Sequence, residues 1–127
     1  MYITTKADFK EFRAEVEFWV KIFGLHDFYI EVQHDQTSDT DLATTYFVLE
    51  GKHALITLQK NWGADPPYKD QIKRTAFHEV AEILLSSLWL LACKREFSED
   101  EIERERHAII NRLDHGLWKQ MRRRTRQ

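Results

Sequence analysis

Between Thr75 and Leu85 the chain is an apolar helical pattern broken by His78, Glu79 and Glu82. On a helix, His78 and Glu82 lie four residues apart and project from one face, with Glu79 one position round from His78. Such a pair beside a carboxylate is one residue away from the H-E-x-x-H pattern, in which two imidazoles hold zinc and the glutamate works on the bound water. The fifth position here is glutamate. A hydrolytic metal site needs rigid ligands, an open position for water and a carboxylate to take the water's proton. His78 could bind through a ring nitrogen and Glu82 through a carboxylate oxygen; Glu79 would then be the general base.

A third ligand must come from elsewhere in the chain. Glu103 and His107 stand four apart at the edge of a later apolar stripe, and Glu105 is the next candidate. With Glu103 bound, one imidazole and two carboxylates would suit manganese or iron at least as well as zinc. A second carboxylate also lowers the site's positive charge and makes bound water less acidic. The alternative holds no metal. Arg106 falls near the middle of the same stripe, where a buried cation needs a partner, and pairing with Glu82 would put a salt bridge in the metal's place. The chain would then be an inactive scaffold that binds a protein partner.

The elements that must position these residues follow from the change of period along the chain. Phe9, Phe12, Val16, Val20 and Phe23 recur at helical spacing, predicting a helix from about Ala7 to Phe23 that stops at Gly24, with His26 helping to cap it. Tyr29 to Gln33 alternates as a strand, residues 34–41 form a polar loop, and Leu42 to Leu49 and His53 to Leu58 read as two more strands about a turn at Glu50-Gly51-Lys52. Short connections imply a mainly antiparallel sheet. A motif helix is expected from about Lys69 to Lys94. A closing helix follows, capped by Ser98 with Glu101 and buried along Ile102, Ile109, Leu113 and Leu117. The order is helix, three strands, motif helix, closing helix: an α+β domain spanning residues 1–127.

Composition narrows the function classes. A chain of 127 residues can bury a core, and a net charge of −2 gives no overall pull toward nucleic acid or anionic membrane. The N-terminus lacks the apolar run of a secretory signal, and the longest apolar segment, Ile83 to Cys93, is too short to span a bilayer. The lone cysteine, Cys93, reads as a buried thiol suited to a reducing cytoplasm. His34 and His53 read as surface residues, and His115 as structural. The tail from Lys119, with Arg122, Arg123, Arg124 and Arg126, complements the helix dipole, and contact with nucleic acid is a minor option. Trp62 and Tyr68 flank Pro66-Pro67, where they either line a groove or staple the loop.

The order of elements, Thr75-Ala76-Phe77-His78-Glu79 and the later run Arg106 to Leu113 together resemble the small zincin-like metallopeptidases common in phage and prophage genomes. The resemblance covers roughly residues 7–118, and only the motif helix is specific. It implies a minimal zincin fold, a zinc ion, peptide-bond hydrolysis and, for a phage-encoded protein, the host cytoplasm. His78 matches the first ligand and Glu79 the general base. Glu82 stands where the family has histidine, and a downstream glutamate, Glu103 or Glu105, would be the third ligand. The family often holds an extended peptide on an edge strand, for which residues 53–58 are the candidate.

Overall fold

Thr5 begins the first helix through a reciprocal cap: its hydroxyl accepts from the Asp8 N–H while the Asp8 carboxylate accepts from the Thr5 N–H. The computed structural model describes residues 1–38, 41–48, 50–94 and 96–125, the last two as backbone only. Leu49 of the expected second strand, Asp39 and Thr40 of the polar loop, and Arg126 of the tail lie outside the described residues. Helix α1 (Lys6–Ile22) buries Phe12 and Val16 and ends at Gly24, whose φ of +66° suits a residue without Cβ. Backbone groups of Phe23, Gly24 and Leu25 complete that end. His26 is exposed.

Three strands follow: β1 (Tyr29–Asp35), β2 (Ala43–Val48) and β3 (His53–Gln59), in the spatial order β1-β3-β2. The α+β class stands, but the sheet is mixed. Strand β2 takes an outer edge of the sheet, and β3, which follows it in the chain, lies at the centre. There β3 pairs parallel with β1 and antiparallel with β2. The expectation of residues 53–58 as a free edge is therefore overturned; β1 and β2 are the edges. Centrality also explains why β3 is buried on both faces. Ala54, Ile56 and Leu58 meet the core as expected, while Thr57 and Gln59 are buried opposite, bonded to Gln33 and Thr37.

The expected 69–94 helix is two: α2 (Gln71–Leu84) and α3 (Ser86–Cys93), bent by 53° about Leu85. The Ser86 hydroxyl donates to the Ile83 carbonyl at 2.7 Å, a side chain competing with the backbone ladder at the bend. Helix α2 buries Ile72, Ala76, Val80 and Ile83 against α1 and the sheet. Among the described residues no single helix is long and apolar enough to cross a membrane; α2 and α3 together have the length and composition but are bent.

Helix α4 (Glu99–Leu113) starts at Ser98, whose hydroxyl accepts from the Glu101 N–H as expected. Its stripe packs less deeply than the spacing suggested. Ile109 and Leu113 touch the core, while Ile102 and Leu117 stay largely exposed. A π-helical turn, Asp114–Trp118, precedes α5 (Lys119–Thr125). Gly116 sits inside that turn against the end of α1, where an added Cβ would lie 2.3 Å from the Ile22 carbonyl oxygen. Nearby, Arg112 and Lys52 both donate to Asp27 at 3.0 Å, tying α4 and the β2–β3 turn to the loop before β1.

Candidate metal centre

The two turns of α2 that carry the motif place His78 Nε2 3.4 Å from Glu82 Oε1. That is the spacing two donors need around one tetrahedral ion, about 3.4 Å for bonds of about 2.1 Å. Both side chains face solvent, 70% and 47% exposed, so a ligand can reach them. Glu79 turns the other way round the helix and is only 5% exposed. One donor atom from each of the three residues lies within 4.8 Å of the other two.

Glu79 is held from the sheet. The Thr45 hydroxyl on β2 donates to Glu79 Oε2 at 2.5 Å. Burial pushes the Glu79 carboxyl up to about 8; the Thr45 bond opposes the rise, and the nearby Glu82 charge adds to it. A proton shared with Glu82 also favours the neutral form. The pair of carboxylates thus wants a proton or a cation at neutral pH, and an imidazole stands beside them. With Glu79 counted, one imidazole nitrogen and two carboxylate oxygens are a donor set that fits a divalent ion such as zinc, manganese or iron; with Glu79 kept as a base, His78 and Glu82 supply two of the donors.

These groups border an open cavity of about 540 Å³ between α2 and β2. Asp41, in the loop before β2, is the remaining carboxylate on its wall and raises Glu79 further. Arg74 lies one helical turn before His78 on the same wall. Tyr68 is also there and exposed, whereas Trp62 is buried and donates from its indole to the Leu42 carbonyl at 3.0 Å, stapling the loop.

The structure does not bring α4's candidates to this group. Glu103 is exposed and accepts from Arg106 at 2.7 Å, and His107 Nδ1 lies 3.6 Å from the same carboxylate. Glu105 borders a different cavity, between α3 and α4. Arg106 is not buried, so the charge that would have required Glu82 is satisfied on its own helix, and Glu82's partner is His78. The placement follows from the bend at Leu85, after which α3, not α2, carries the contacts to α4. The other singled-out residues are also located. Cys93 is exposed because α3 presents much of its surface to solvent. His34 is not in a loop: β1 extends to Asp35, and the ring stacks on Phe9 at 5.2 Å with Nε2 2.7 Å from the Thr4 hydroxyl. His53 and His115 are exposed, and Arg122 lies over the Trp118 ring at 5.5 Å.

Thr45, Asp41 and Arg74 were missed by sequence reasoning. Arg74 could have been found, since Arg74, His78 and Glu82 form one i, i+4, i+8 row. Thr45 and Asp41 carry no local signal. Comparison of the chain with known protein families, curated proteins and solved structures finds no match.

Proposed function

We propose that this protein is a metal-dependent hydrolase of the metallopeptidase kind, acting on an amide bond held in the cavity between α2 and β2. What carries the reading is the 3.4 Å approach of His78 Nε2 to Glu82 Oε1 beside the buried Glu79. His78 and Glu82 would hold the ion, with Asp41 a further carboxylate on the cavity wall. A bound divalent ion supplies an acidified water and polarises the amide carbonyl.

The chain's own groups do the rest. Glu79 is aimed by Thr45 and sits within reach of the two ligands, so it can take a proton and return it to the departing amine. Its raised pKa falls once a cation stands beside it, which brings a base into being only in the loaded site. Residues of β2 offer free edge backbone to an extended peptide.

The metal-free binding module is the rival reading, favoured by the His78–Glu82 ion pair, which also exists without a metal. Elemental analysis of protein purified without a metal-binding tag, followed by calorimetric titration with zinc, separates the two. Bound metal or a saturable zinc isotherm that is lost in His78→Ala supports the enzyme. Absence of both, with an unchanged thermal midpoint on adding zinc, leaves the binding module.

A further inference from the structure

The row through Arg74, His78 and Glu82 does not end at the motif. Beyond Glu82 it meets a second cavity, of about 490 Å³, whose wall is Phe47, Leu85 and Trp89. This cavity shares Thr45 and Glu82 with the one that holds the motif, so the two are halves of one groove. Strand β2 and the α2–α3 pair border it in the same sense: Thr45 meets Glu79, and two residues on Phe47 meets Trp89, ring centroids 6.4 Å apart. Leu85 and Trp89 are exposed and, with Phe47, form one apolar patch beside the polar cleft. The bend at Leu85 is what turns them toward β2.

At the opposite end Arg74 is exposed and has no carboxylate at ion-pair distance among the described residues. The groove therefore has a cationic end, a His–Glu centre and an apolar end. Successive members of the helix row are about 6 Å apart along the axis. Alternate side chains of an extended peptide are about 6.7 Å apart and point the same way. From Arg74 to Leu85 the stations span eleven residues of helix, about 16 Å, a length that alternate side chains of an extended peptide bracket at about four and six residues apart.

We propose that the groove selects a peptide segment with a bulky apolar side chain on one side of the motif and a carboxylate four to six residues away on the other. Phe47, Leu85 and Trp89 receive the first, and Arg74 pairs with the second. The proposal deepens the peptide-hydrolase reading and rests on the groove being the peptide site, but it does not need a metal or turnover.

Fluorescein-labelled octapeptides test it, with phenylalanine and glutamate four or six residues apart in either order on a glycine–alanine background. Anisotropy is read with the full chain, once with zinc and once with EDTA. One of the two orders should bind. Replacing its phenylalanine with alanine should weaken it about tenfold, and replacing its glutamate with glutamine about fivefold. In Arg74→Gln the glutamate and glutamine peptides should bind alike, and in Trp89→Ala the phenylalanine preference should shrink. Both substituted residues are exposed, so the variants should fold, and circular dichroism checks this. No binding up to about 1 mM, equal binding of all peptides, or preferences that persist in both variants would overturn the proposal. Selectivity that survives EDTA in a protein that binds no zinc would uphold the groove while removing the metal. Zinc binding without selectivity would do the reverse.

Discussion

Asp27 at the surface and the buried Glu79 are both carboxylates shifted by their neighbours, and the chain surrounds them in opposite ways. Burial would raise Asp27, but Arg112 and Lys52 each donate to it and hold its pKa down at about 2. Glu79 receives a neutral hydroxyl from Thr45 and a second acid, Glu82, and rises to about 8. Where the sequence needs a negative charge for structure, it supplies the cations. At Glu79 it supplies a neutral hydroxyl and more negative charge, with no lysine or arginine bonded to the carboxylate among the described residues. A group kept poor in counter-charge costs stability, and such sites persist where binding or catalysis uses them.

The sharpest way to break this contrast is Glu79→Gln. Peptide hydrolysis measured with zinc should fall by roughly 10²–10⁴-fold, the range for losing a general base. A variant that retained full hydrolysis would remove Glu79 from the chemistry. Next in size is the response to metal. Zinc at about 100 times its Kd should add roughly 2.7 kcal/mol to wild-type stability, seen as a higher thermal midpoint, and should add much less in His78→Ala.

The pH dependence of the metal-free protein separates the two acids further. The unfolded chain releases the Glu79 proton near 4.5 and the folded chain near 8, so the folded state binds the extra proton between. Stability from this group therefore falls as pH rises through that window and levels off above it. Glu79→Gln should lose that slope in urea titrations and be more stable than wild type at pH 8, by a few kcal/mol. Asp27 has the opposite sign. Its contribution is complete above its ordinary value of 3.8 and is lost as pH falls toward 2. Arg112→Ala should cost about 1 kcal/mol at pH 7 and progressively less below pH 4. The smallest effect belongs to Glu103→Gln, expected to change stability by under about 0.5 kcal/mol and zinc affinity not at all. A large loss of zinc affinity there would bring α4 back into the site.

What was legible in the sequence divides by range. His78 and Glu82 meet because four residues of helix fix their separation, and the core face of β3 followed from alternation through Ala54, Ile56 and Leu58. The cap at Ser98 is equally local. The α+β class needed only the order of periods. Glu103 was misplaced because its position depends on the bend at Leu85, where Ser86 bonds back to Ile83 and no proline or glycine marks the break. The sheet order was hidden for a similar reason. Nothing in residues 36–42 says which side of β3 the next strand takes. Thr45 became visible only once β2 stood beside α2.

The close approach of Gly116 to the end of α1 governs more than local packing. Two bare backbones touch there, with Gly24's own missing Cβ facing the Arg112 carbonyl 2.2 Å away. The widened turn at 114–118 acts as a fixed elbow, and the short rod beyond it, with Lys119, Arg122 and Arg123, takes its heading from that joint. A single methyl group at position 116 would prise the elbow open and swing the cationic end of the molecule, although none of those basic residues had been altered.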